Sequence, residues 1–239
     1  MGRTEKNIYG GRDPRELPAY GIPEAAHYLR IPVATLRTWV CGRHYPTQQG
    51  LRRFKPIIAL ADTERFLLSF VNLIEAHVLA AIRRHHRVSF PKVRSALRYL
   101  NQYFPSPHPL ADQHFETNGL DLFVEQFGNL IAISDEGQLS MRDMLKAHLH
   151  RIERDVSGLA IKLYLFTRRD VSETAPRVIV VDPRIAFGRP VVVGTRISTE
   201  VVYQRFEAGE SIARLADDYG RTPAEIEEAL RCEHYRDAA

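Results

Sequence analysis

Two short stretches of this chain hold side chains able to do specific chemistry, and in both of them that chemistry is recognition. In PVATLRTWVCGR, Val33, Leu36 and Val40 recur at helical spacing, which leaves Thr35, Arg37 and Thr38 on the opposite face. Hydroxyl and guanidinium groups on an exposed helical face are the groups that read base edges in the DNA major groove. Arg30 ahead of this helix, and Arg43, Arg52, Arg53 and Lys55 behind it, are placed to hold the sugar-phosphate backbone on either side, as a wing would. These eight residues form the candidate DNA-contact set. A plain two-helix corner with a solvated polar face would show the same spacing, and local charge favours the nucleic-acid reading. Residues 1–60 carry 10 Lys and Arg against 4 Asp and Glu.

The second stretch, SIARLADDYGRTPAEIEEALRCE, has the same two-helix layout with the opposite charge. Ile212, Leu215 and Ala216 give an apolar face, Gly220 a turn, and Thr222, Pro223 and Glu225 a capped helix start. Its second helix carries Glu225, Glu227 and Glu228, which phosphates would repel, so its partner is expected to be a protein or merely water. Asp182, Arg184, Arg189 and Arg196 gather around turns without a nucleophile, a phosphate loop or a spaced carboxylate set. No catalytic residue, metal ligand or cofactor is assigned, and the chain is not expected to be an enzyme. Cys41 and Cys232 lie far apart, which suggests neither a zinc site nor a disulfide framework.

Elements must hold these groups in place. The polar N-terminus through Pro18 reads as a loose arm, and Ile22 to Cys41 as two short helices with Gly42 ending the second. An Arg- and Gln-rich loop follows, then a long helix from about Asp62 to His86 striped by Phe66, Phe70, Leu73 and Val78. That stripe is the expected seam of a homodimer, since one short reading head contacts too few base pairs; the simpler alternative is that it forms the N-terminal core. Ser89 and Pro91 open a further helix, and the prolines between Pro105 and His114 mark a linker. LDLFVEQFGNLIAIS is read as a hairpin turning at Gly128, and SMRDMLKAHLHRIERD as a helix. Two β-branched runs, Val178 to Val181 and Val191 to Val193, precede the acidic helix pair.

The expected fold is mainly α with small β elements, in three parts: a basic helix-turn-helix and helical bundle over 1–104, a mixed connector over 105–175, and a small C-terminal domain over 176–239. Charge divides the same way. Residues 1–100 hold 17 Lys and Arg against 7 Asp and Glu, whereas the rest hold 16 against 22, so the halves should face different partners. No apolar leader or membrane-length run is present, which places the expected location in the cytoplasm with no membrane partner.

Two segments match known families. YGIPEAAHYLRIPVATLRTWVCGR resembles the helix-turn-helix of MerR-like regulators and, more closely, of the long VapB-type antitoxins. The later segment resembles the small C-terminal domain of those antitoxins through Asp182-Pro183, Phe187-Gly188-Arg189-Pro190, Gly194-Thr195-Arg196-Ile197, Leu215-Ala216 and Tyr219-Gly220. LSFVNLIEAHVLAAIRR and DEGQLSMRDML resemble the connecting region. The resemblance implies a type II toxin-antitoxin module, in which the chain neutralises a PIN-like ribonuclease toxin encoded beside it and represses their promoter by binding operator DNA. It makes Arg189, Arg196, Glu225, Glu227 and Glu228 the candidate toxin contacts, with an arginine facing the toxin's metal-binding carboxylates. Most antitoxins of this class are far shorter, so their inhibition scheme does not transfer residue by residue. The alternative is a MerR-like transcriptional regulator that senses a ligand or partner, with no toxin.

Overall fold

A computed structural model of the chain describes residues 11–47, 50–86, 90–131, 134–168 and 171–234, apart from the side chains of 45–47, 51, 52, 84–86, 90, 131 and 135. Most of the expected arm, the start at Ser89 and the side chain of Arg52 therefore lie outside the described residues. Helices dominate, and the strands pair into small antiparallel sheets, an α+β architecture.

Strand β1 (Tyr20–Gly21) runs into α1 (Ile22–Leu29), where Pro23 suits the first turn and the Gly21 N–H donates to the Glu24 carboxylate at 3.3 Å. Arg30 ends the helix with a left-handed backbone, φ 53° and ψ 47°, and the Ile31 N–H closes the turn on the Ala26 carbonyl at 2.9 Å. The second helix, α2 (Val33–Cys41), buries Leu36, Trp39 and Val40 beside Ala25, Ala26 and Leu29 of α1. The loop expected next is a hairpin, β2 (Arg43–Thr47) with β3 (Gly50–Phe54), in register from Arg43 opposite Phe54 to Thr47 opposite Gly50.

The long helix begins only at Phe70, not near Asp62. The Asp62 carboxylate accepts the Glu64 and Arg65 N–H groups at 2.9 Å, and Phe66 then turns left-handed at φ 56°. Strand β4 (Leu67–Leu68) next pairs with β1, and α3 (Phe70–His86) follows. Phe70, Leu73 and Val78 are fully buried inside the chain, against α1 and the later helix α6 (Asp135–Leu149), while Phe66 stands half exposed outside the helix. The expected dimer seam is thus corrected: this stripe is core.

Helices α4 (Phe90–Tyr103) and α5 (Leu120–Ile131) complete a bundle with α6. The hairpin expected at Gly128 is the helix α5. Leu120, Phe123, Val124 and Phe127 recur at helical spacing and are all buried, and Gly128 lies close enough to α6 that a Cβ there would stand 2.6 Å from the Gln138 side chain. The helix expected through Asp155 stops at Leu149, and the chain continues as β5 (Ile152–Arg154).

Strand β5 opens an antiparallel sheet with β6 (Ala160–Tyr164), β7 (Ile179–Val181) and β8 (Val191–Val192), ordered β5-β6-β7-β8. Strands on both sides of residue 176 therefore share one sheet. Three helices pack beside it, one more than the sequence pattern announced. These are α7 (Thr199–Glu207), α8 (Ile212–Tyr219) and α9 (Pro223–Glu233), each started by a hydroxyl cap from Ser198, Ser211 or Thr222. Val181, Val192, Val202, Leu215, Ile226 and Ala229 make the core beneath them. Among the described residues no helix is long and apolar enough to cross a membrane.

Candidate nucleic-acid interface and the C-terminal face

Helix α2 exposes Ala34 and Arg37, with Thr35 and Thr38 half-buried at its edge. The Thr38 hydroxyl donates to the Ala34 carbonyl at 2.9 Å, which leaves its oxygen as an acceptor. Arg43, Arg53 and Lys55 are exposed on the hairpin and at its base, and Arg52 occupies the ladder position opposite Tyr45. The structure thus brings a helix surface and a cationic hairpin together from sequence-adjacent pieces. Arg30 is placed differently. Its guanidinium donates to the Arg231 carbonyl of α9 at 2.7 Å.

The hairpin is held at its root by groups the sequence pattern did not mark. The Trp39 carbonyl accepts the N–H groups of Ile57 and Ile58 at 2.8 and 3.2 Å. Arg94 of α4 stacks 4.6 Å from the Phe54 ring centre and donates to the carbonyls of Lys55 and Pro56. Gly42, at φ 74°, joins α2 to the hairpin, and a Cβ there would fall 2.1 Å from the Phe54 carbonyl oxygen. Only the glycine was legible beforehand, as a helix end; Arg94 gave no local signal because its target lies 38 residues upstream.

The three glutamates expected on the outer face of the acidic pair are each engaged within the chain. Glu225 closes the capping box on Thr222 at 2.9 Å, which with Arg221 holds its carboxyl below the ordinary range. Glu227 pairs with Arg231 at 2.7 Å. Glu228 is 2% exposed and accepts from Thr167, from Arg168 at 2.5 Å and from Arg231 at 2.6 Å. Burial pushes its carboxyl up, but the Thr167 and Arg168 donors bring it below the usual glutamate value. The expectation that Glu228 lies on an outer acidic face is corrected: it clamps the segment after β6 onto α9.

The remaining candidates border the outer side of the sheet. Arg189 is exposed and paired with Glu200 at 2.5 Å; Arg196 is exposed and lines an open groove of about 580 Å³ with Lys162, Tyr164, Asp182 and Ile185. Beside that groove the chain makes a left-handed turn over three residues, with φ of 48° at Ala186, 55° at Phe187 and 79° at Gly188. A left-handed backbone costs a residue with a Cβ about 1–2 kcal/mol, and such strain persists only where surroundings impose it. Here the Tyr20 hydroxyl donates to the Gly188 carbonyl at 3.1 Å, and a Cβ on Gly188 would meet that hydroxyl at 2.2 Å.

The same contact joins the two functional regions. Besides Tyr20 on Gly188 and Arg30 on Arg231, His27 of α1 lies 3.5 Å from the Glu233 carboxylate. Burial raises the Glu233 carboxyl, while His27 and Thr199 bring it below its ordinary value. The first helix of the basic pair therefore rests directly on the acidic unit.

Comparison with known proteins follows this geometry. Residues 18–97 match a family model described as "Putative DNA-binding HTH domain", and residues 179–231 one described as "Protein of unknown function (DUF433)". The chain is 30% identical over 231 residues to "Putative antitoxin VapB45" of Mycobacterium tuberculosis H37Rv, covering 90% of this chain and 93% of that one. It is 26% identical to "Uncharacterized protein Rv2308" of the same organism, covering 88% of each. A crystal structure of Rv2018 from Mycobacterium tuberculosis superposes with a TM-score of 0.65 at 28% identity, over 90% of this chain and 98% of that one.

Proposed function

The chain belongs to the long VapB-type antitoxins, and from that premise we propose that it acts by binding without catalysis, repressing its own promoter and neutralising a PIN-like ribonuclease encoded beside it. The observation that carries the DNA half is the open cationic module of α2 and the hairpin, where Arg37, Arg43, Arg53 and Lys55 all face solvent. Arg37, Thr35 and Thr38 contact base edges; Arg43, Arg52, Arg53 and Lys55 hold phosphates. Arg30 contributes by fixing the turn on α9. Two copies on a palindrome supply the base pairs that one short helix cannot, and since α3 is core, the homodimer forms through another surface. For the toxin half, the antitoxin relative and the exposed arginines of the sheet side give support, with Arg189 and Arg196 directed at acidic groups of the ribonuclease.

The test uses the full chain and the purified product of the adjacent reading frame. RNA cleavage by that product should stop at stoichiometric antitoxin, and the chain alone should retard its own promoter fragment with an affinity that falls steeply with salt. Unimpeded cleavage in the presence of excess chain would end the toxin half; equal retardation of every fragment at high salt would end the repressor half.

One observation favours a second reading, a ligand-responsive regulator without a toxin. A cavity of about 340 Å³ lies between the N-terminal arm, the segment after α4 and the β5–β6 turn, lined among others by Glu16, His108, Asp112 and Leu159. A promoter affinity that shifts with a small metabolite and ignores the adjacent gene product would select it.

A further inference from the structure

Phe187 is 84% exposed, against 50% for Phe66 and 58% for Tyr103, and it is held out on the strained turn beside the sheet groove. Water and backbone sterics both disfavour that arrangement, and burying the ring against a partner would offset part of its cost. Exposed arginines flank the turn along the chain, Arg184 before it and Arg189, paired with Glu200, after it; Arg196 lines the adjoining groove with Ile185 and Tyr164, and Arg177 stands 5.6 Å from the centre of that tyrosine ring. An exposed aromatic between two exposed arginines in the chain, next to a groove that carries a third, has the composition of a protein-interface hot spot.

We propose that the turn around Phe187 and the groove beside it are the surface that grips the ribonuclease toxin, and that an acidic face of that protein is the occupant. This rests on the antitoxin reading above and names its contact surface. It also moves the expected centre of the complex away from the acidic helix pair, whose Glu225, Glu227 and Glu228 are each engaged within the chain. Single-stranded nucleic acid is the other occupant an aromatic and arginines could attract. It is disfavoured because stacking along a strand uses successive aromatic side chains, and this turn presents a single one.

The experiment compares the full chain with Phe187→Asn, Arg184→Glu and Glu227→Gln by calorimetric titration with the purified adjacent gene product, with Tm and operator affinity measured on each. Asn tolerates the left-handed backbone, so Phe187→Asn should keep or raise Tm while weakening the toxin complex roughly thirtyfold. Arg184→Glu should also weaken it and reverse its salt dependence, whereas Glu227→Gln should change nothing. Operator affinity should hold within about twofold throughout. Wild-type toxin affinity in Phe187→Asn and Arg184→Glu would overturn the assignment alone. So would a loss confined to operator binding, or to the molecular mass in solution, because the turn would then serve DNA or a second copy. If the unaltered chain fails to bind the gene product, the antitoxin reading falls first and takes this surface with it.

Discussion

The helix pairs α1–α2 and α8–α9 share a layout and differ in where their charges end. Each is two short helices joined by a tight turn with a left-handed residue, Arg30 in one and Gly220 in the other. The acidic pair has the better local chemistry, with hydroxyl caps on both helices and a full capping box, whereas α2 starts behind Pro32 with no side-chain cap. Yet its Glu225, Glu227 and Glu228 are engaged within the chain, while the basic pair turns Arg37 to solvent and gains a hairpin that adds Arg43 and Arg53. Shape and capping make a helix pair fold; the availability of its charges decides whether it recognises anything.

The largest expected effect tests the inward half of that contrast. Glu228→Gln removes a buried carboxylate from Thr167, Arg168 and Arg231 and should destabilise the chain by about 3 kcal/mol, while Glu227→Gln should stay within about 0.5 kcal/mol. Thermal unfolding of both variants checks this, and equal Tm values would break the comparison. Gly42→Ala comes next. With φ at 74° and the Phe54 carbonyl in its way, the hairpin must shift, at a cost of about 2 kcal/mol and with weaker operator retention visible in a gel-shift series.

A smaller effect separates reading from holding on the basic side. Arg37→Ala should lose about 1–2 kcal/mol of operator affinity and blur preference among promoter variants. Arg53→Ala should weaken all sequences alike and flatten the salt slope by about one unit. Matching salt slopes for the two variants would show that both merely hold phosphate.

The smallest effect lies outside both helix pairs, where α3 meets the segment after α4. His108 donates to buried Glu75 at 3.0 Å, and that bond raises the imidazole above its ordinary 6.5 despite opposing burial. Glu75 is raised too, by burial above all. Both groups hold protons more tightly when folded, so the Glu75 contribution is fully present below 4.5 and the His108 contribution below 6.5, and each is lost as the pH climbs through the raised folded value. Tm measured from pH 6 to 9 should fall slowly, and His108→Gln should flatten the profile; a Tm that rises over this range would contradict the pairing.

Much of this was legible in the residues. Pro23, the spacing of Leu36 and Val40, and the Thr222 to Glu225 cap each depend on neighbours within a few positions, so local sequence determined α1, α2, α8 and α9. The family signature from Asp182 to Gly220 was equally local. Where short-range pattern is ambiguous, it misled: Phe123, Val124 and Phe127 could suit a strand or a helix, and only packing against α4 and α6 shows that one helical face buries all three. Tertiary structure alone decided that Glu228 turns inward, because its partners Thr167 and Arg168 stand some 60 residues away. It alone sent Arg30 to α9, propped the hairpin with Arg94 and pinned Gly188 under Tyr20, leaving Phe187 in water. A residue's type and spacing fix which bonds it can make; which partner arrives is set by chain topology, over separations that no periodicity encodes.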